Sequence, residues 1–107
     1  MDFDKVFDDL KGQLGTLAQD ELKDLSSDAQ KDARGLVDNI RPQLQQWTQQ
    51  LADTEINEDE FRELVLGLKT SEEMEAWRKA SAAQQRLEQF RDSALQLAIK
   101  VAIAAIV

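Results

Sequence analysis

The sequence predicts an all-α protein, a three- to four-helix antiparallel bundle with long helical arms and a long C-terminal helix. Helix-breaking residues are sparse, with one proline and four glycines among 107 residues. Ala, Leu, Gln, Glu, Asp and Lys dominate the composition and favour helix over strand. Apolar residues also recur at intervals of three and four, as on one side of a helix. The length suits one domain, so we expect residues 1–107 to form a single helical domain.

The first helix is predicted over residues 3–25. Asp2 and Asp4 lie where a helix N-terminus favours negative charge. Gly12 and Gly15 interrupt the helical pattern, each at a cost of roughly 1 kcal/mol relative to alanine. We interpret them as local softness or as a close helix crossing. The apolar residues of this helix are Phe3, Val6, Phe7, Leu10, Leu14, Leu17, Leu22 and Leu25.

The second helix is predicted to start near Asp28. Ser27 and Gln30 have the spacing of a capping box, which satisfies backbone donors at a helix N-terminus. Apolar residues then continue at helical spacing through Leu51 and across Pro42. Proline either kinks a helix or occupies its first turn. Because the spacing continues across it, the sequence favours one kinked helix.

The third helix is predicted after a polar loop at residues 53–60. Asn57 and Glu60 again have capping-box spacing, and Gly67 is placed to end the helix. Thr70 with Glu73 would then begin a fourth helix. The expected buried residues of the third helix are Phe61, Leu64, Val65 and Leu68.

The fourth helix has no breaker from Glu72 to Val107, so it would be roughly 50 Å long. Its first half is amphipathic, and we expect the first, second and fourth helices to share the core. The inward residues would be Met74, Trp77, Leu87 and Phe90, and the outward ones Arg78, Lys79, Arg86 and Arg91.

The segment 94–107, ALQLAIKVAIAAIV, is the most unusual part of the chain. Only Gln96 and Lys100 are polar, and a helix that is apolar on all sides is usually buried. It is shorter than the ~20 apolar residues of an ordinary membrane-spanning helix. Burial in a monomeric bundle, in an oligomer or partner, or in lipid all stay open. The predicted interaction residues are Leu95, Ala98, Ile99, Ala102, Ile103 and Ile106.

Composition argues against several functions. Thirteen basic and 21 acidic residues give a net charge of −8, which disfavours binding to nucleic acid and to anionic membrane surfaces. The chain has no histidine and no cysteine, which removes the commonest general base, metal ligands and thiol nucleophile. The acidic loop and first-turn residues are better interpreted as caps and solvated groups. We therefore expect a protein that is not an enzyme and holds no metal or cofactor.

The sequence favours a non-enzymatic assembly or scaffold protein that self-associates or docks through its C-terminal helix, as a virion, filament or adaptor component does. A homo-oligomer or a protein partner is expected. One alternative is a lipid-contacting or membrane-perturbing bundle that inserts residues 94–107. Another is an acidic inhibitor or immunity-type protein that neutralises a basic partner. The N-terminus lacks the pattern of a secretory signal, so a cytoplasmic protein or a part of a larger assembly is expected.

Overall fold

The computed structural model describes residues 2–23, 31, 35, 37–68 and 84–106, and these residues form an all-α bundle. None of the described residues lies in a β-strand. The predicted fold class is therefore confirmed. Among the described residues, the helices with defined first and last residues are α1 (Phe3–Glu21), α2 (Arg41–Ala52), α3 (Glu58–Gly67) and α4 (Gln84–Ile106).

Helix α1 begins as the sequence predicts. The side chain of Asp2 caps it by accepting a hydrogen bond from the backbone N–H of Lys5, at 3.4 Å. The helix ends at Glu21, four residues before the predicted end, and residues 24 and 25 lie outside the described part. A Cβ atom built on Gly12 or Gly15 would meet no atom within 4 Å. The interpretation of these glycines as a close helix crossing is therefore wrong, whereas local softness stays a prediction.

Helix α2 starts at Arg41 and carries Pro42 in its first turn, so the expectation of one kinked helix across Pro42 is wrong. Ile40 forms a turn, with φ −107° and ψ 6°, between residues 37–39 and α2. In a continuous helix the proline ring would clash with the carbonyl of Asp38, whereas in a first turn its missing N–H costs nothing. The capping box predicted at Ser27 lies outside the described residues.

Helix α3 has the predicted capping box. The backbone N–H of Glu60 donates to Oδ1 of Asn57 at 2.8 Å, and the N–H of Asn57 donates to Oε1 of Glu60 at 3.2 Å. Phe61, Val65 and Leu68 are buried as expected, but Leu64 is 37% exposed. Leu64 lies about 65° around the helix from the centre of the buried side, at the edge of the contact.

All of these helices contribute to one hydrophobic core, so α3 is a full member of the core that the sequence assigned to the other helices. Helices α1 and α4 pack antiparallel. Ser93 in the first half of α4 lies beside Glu21 at the end of α1, whereas Ala102 near the end of α4 and Phe3 at the start of α1 line the same small cavity.

Arg91 was predicted to point outward, and this is wrong because Arg91 is only 9% exposed. It lies one turn before Leu95 on the inward side of α4, where its methylene stem adds to the packed surface. Its guanidinium donates to Oδ1 of Asp92 from Nε at 3.2 Å and from Nη2 at 3.1 Å. The predicted start of the fourth helix and the predicted positions of Met74, Trp77, Arg78, Lys79, Arg86 and Leu87 fall outside the described residues and side chains.

Candidate docking groove on the C-terminal helix

The inward side of α4 carries most of the residues that the sequence predicts for interaction. Leu95, Ala98, Ile99 and Ala102 are all buried in the core that this chain forms by itself. Ile103 and Ile106 are only partly buried and pack against the edge of that core. Any docking through α4 therefore has to use its outward side and its C-terminal end.

The outward side of α4 forms the floor of an open groove with a volume of about 920 Å³. Helix α1 contributes Leu17 to one wall, and α3 contributes Arg62. From Ser93 to Ala104 the groove follows α4 over eleven residue steps, which at 1.5 Å per residue is roughly 17 Å. This length corresponds to about three helical turns.

The bed of the groove is apolar. It consists of Leu97, Ile103 and Ala104 from α4 together with Leu17 from α1, and Ile99 reaches it from the core. Leu97, Ile103 and Leu17 are half-buried, and Ala104 is exposed. The three α4 residues lie on the outward side because they recur at the three- and four-residue spacing that also includes Ser93 and Lys100.

The polar part of the groove is unevenly charged. Asp92, Ser93 and Gln96 lie toward one end, where the Ser93 hydroxyl donates to Oε1 of Glu21 at 3.5 Å. Lys100 lies among the apolar residues, between Leu97 and Ile103 along the helix, and Arg62 faces the same groove from α3.

Arg62 and Lys100 have no ion pair with any residue in the part of the chain that the structure describes. Lys5, Lys23 and Lys31 likewise have none among the described residues, whereas Lys11 pairs with Asp38 at 3.0 Å, Arg41 with Asp4, and Arg91 with Asp92 at 3.1 Å. The carboxylate of Asp92 in the groove is therefore already engaged by Arg91. The apolar bed of the groove is therefore bordered by two cations that form no ion pair among the described residues, and by the paired carboxylate of Asp92.

Of the interaction residues predicted from the sequence, Ile99 and Ile103 line the groove, whereas Leu95, Ala98 and Ala102 are buried in the core. Residues Leu97 and Ala104 could have been selected from their spacing with Ser93 and Lys100. Leu17 is the last residue of an apolar stripe that runs from Phe3 along α1 at alternating intervals of four and three residues, and nothing in the sequence separated it from the core. Arg62 had no signal at all, because its proximity to α4 follows from the tertiary packing of α3.

The described residues contain no group of three or more His, Cys, Asp or Glu side chains placed to hold a metal ion. A second cavity, of about 10 Å³, lies in the core beside Thr48 and has room for about one water molecule. No described helix is long and apolar enough to cross a membrane.

Comparison of the chain with protein-family models, with curated proteins and with solved structures found no match.

Proposed function

We propose that this protein is a non-catalytic assembly or adaptor component that docks onto another protein through the outward side of α4. The observation that carries the proposal is the apolar bed of the groove, which no described residue covers after the inward side of α4 has packed into the core. A helix that needs only one buried side to fold has little reason to carry leucine and isoleucine on the other side.

The size and shape of the groove support protein docking more than small-molecule binding. Its volume of about 920 Å³ is at the upper end of the range for ligand pockets, yet it is open along its length. A small ligand would stay largely in water there, whereas protein side chains entering from above would cover the bed. Completing the burial of one leucine or isoleucine contributes up to about 1.5–3 kcal/mol, so a few such contacts stabilise a complex appreciably.

This proposal implies a role in self-association or in a larger assembly, such as a virion, a filament or an adaptor complex, in the cytoplasm or within that assembly. A docking role needs no metal, cofactor or reactive side chain.

Site-specific crosslinking tests the proposal directly. A photo-crosslinking amino acid replaces Ala104 in the groove or, as a control, Gln45, which is also exposed and lies on α2 outside the groove. Both proteins are irradiated in cells that naturally contain the protein. We expect position 104 to give protein adducts of defined mass. Position 45 should give none of these adducts. An adduct of twice the chain mass would identify self-association, and one of another mass would identify a different partner.

Two results would contradict docking through this side of α4. The first is the absence of protein adducts at position 104, or equal adducts at both positions. The second is an adduct formed only with lipid at position 104, which would favour the lipid-contacting alternative.

The exposed carboxylates of α1 keep the acidic-inhibitor hypothesis as a second candidate. Asp8, Asp9 and Asp20 are exposed on the side of α1 away from the core. A basic partner bound there would give a complex that weakens steeply with salt. Crosslinks from position 8 that disappear at high salt would favour this candidate over docking in the groove.

A further inference from the structure

We infer that the occupant of the groove is an acidic amphipathic helix of a different protein, with its apolar side on Leu97 and Ile103 and its carboxylates on Arg62 and Lys100. This inference rests on the proposed docking function and adds the chemistry of the partner.

The occupant is a helix because the walls of the groove are themselves helices. An extended peptide docked there would find no sheet edge to pair with, so its backbone N–H and C=O groups would be buried without partners. A helix satisfies those groups internally and presents apolar residues at positions i, i+3, i+4 and i+7. The roughly 17 Å between Ser93 and Ala104 accommodates about three turns of such a helix.

The occupant is acidic because of the charges at the groove. Arg62 and Lys100 both line it, and neither has an ion-pair partner among the described residues. Covering the apolar bed would remove water from both cations, and a buried cation needs a charge partner to offset that loss. Carboxylates beside the apolar stripe of the incoming helix would provide those partners.

A second copy of this chain fits the groove less well. If two α4 helices packed antiparallel so that Leu97 met Ile103 of the copy, Lys100 would lie opposite Lys100 of the copy. The like charges would then meet at the centre of the contact. Helix α1 of a copy is acidic enough, but its apolar stripe is already buried in its own bundle. A separate acidic helix avoids both problems.

The inference is tested with synthetic helical peptides of about 15 residues, the shortest length at which isolated helices are reasonably populated. The acidic peptide carries leucine at i, i+3, i+4 and i+7, flanked by glutamates. The basic peptide has lysine in place of every glutamate, and the polar peptide keeps the glutamates but replaces the leucines with glutamine. Binding to the full chain is measured by fluorescence anisotropy in about 0.3 M salt, which screens the distant acidic residues of the chain.

We expect the acidic peptide to bind at least about tenfold more tightly than the basic peptide. The double variant Arg62→Glu/Lys100→Glu should lose or reverse this preference. The control Lys5→Glu/Lys23→Glu makes the same change in net charge at two exposed lysines outside the groove and should keep the preference. Far-UV circular dichroism of both double variants verifies that they fold, which their exposed positions favour.

Three outcomes would overturn the acidic helix: equal binding of the acidic and basic peptides, a preference that survives Arg62→Glu/Lys100→Glu, or tight binding of the polar peptide. If Leu97→Gln and Ile103→Gln weaken the binding of the acidic and the basic peptide equally, docking in the groove stands. Only the inference that the partner is acidic is then wrong. If neither substitution affects any peptide and position 104 gives no crosslinks, the proposed function fails as well. Phosphatidylglycerol vesicles that bind through Lys100 and displace the acidic peptide would assign the groove to lipid instead.

Discussion

Helices α1 and α4 pack against each other, yet they differ in the residues that they expose to water. Helix α1 buries one apolar stripe and exposes charged residues such as Asp8, Asp9 and Lys11 on its other side. Helix α4 buries an equivalent stripe but keeps leucine, isoleucine and alanine on its outward side as well. Packing in the bundle accounts for the apolar stripe of α1 and for the inward side of α4, but not for the apolar residues on the outward side of α4. This difference is the basis of our proposal that the outward side of α4 docks a partner.

The largest expected contrast lies within α4, between Leu95 on the inward side and Leu97 on the outward side. Leu95 is 1% exposed, so Leu95→Ala leaves a cavity and should lower the free energy of unfolding by about 2–5 kcal/mol. Leu97 is half-buried at the groove, so Leu97→Ala should cost about 1 kcal/mol or less. Urea unfolding followed by circular dichroism measures both. Equal losses would mean that the two sides of α4 are equally structural.

A second contrast compares two cations of α4. Arg91 is nearly buried and donates twice to Asp92, whereas Lys100 is exposed in the groove. Arg91→Met keeps much of the stem but removes charge-assisted hydrogen bonds, so it should cost about 1.5–3 kcal/mol. Lys100→Met should change stability by no more than about 0.5 kcal/mol.

The same pair of variants separates stability from docking. Lys100→Met should weaken the binding of the acidic peptide more than Arg91→Met does. Arg91→Met leaves both groove cations in place but frees the Asp92 carboxylate at one end of the groove, so we expect a smaller loss of affinity. If Arg91→Met unfolds as easily as the wild type and Lys100→Met does not, the assignment of structural and docking roles is reversed.

The third contrast concerns α1, in which Gly12 and Gly15 lower the stability of the helix and can be replaced. A Cβ on Gly12 or Gly15 meets nothing within 4 Å, so alanine fits at both positions without strain. Each substitution should raise the free energy of unfolding by about 0.5–1 kcal/mol, because it reduces the conformational freedom of the unfolded chain. The midpoint of urea unfolding should rise in Gly12→Ala, Gly15→Ala and, nearly additively, in the double variant. A fall would show that this part of α1 needs its glycines, contrary to the open space around them.

The sequence predicted those features that depend on local patterns. The stripe of α1 and the capping box of Asn57 and Glu60 follow from spacing alone, and both are confirmed. The break before Pro42 was missed because apolar spacing continues across it, although the steric rule for proline favours a new helix.

The features that were missed depend on tertiary packing. Arg91 is buried because α4 turns that side toward the core, and its long side chain gives no sequence signal of burial. The groove likewise combines residues from α1, α3 and α4, which no periodicity within one helix can bring together. Periodicity therefore identified α4 as unusual but could not decide which of its apolar sides the bundle would cover.

The smallest expected effect tests whether the charged side of α1 contributes to the bundle at all. Lys11 and Asp38 form an ion pair at 3.0 Å, with about half of each side chain exposed. Such pairs contribute about 0.2–1 kcal/mol and are screened by salt. Lys11→Met should therefore lower stability by an amount in that range at low salt, and the difference should nearly vanish at about 1 M salt. A loss that persists at high salt would mean that Lys11 contributes through packing of its stem. Helix α1 would then use its outer side for folding, and the contrast with α4 would be smaller than the charges suggest.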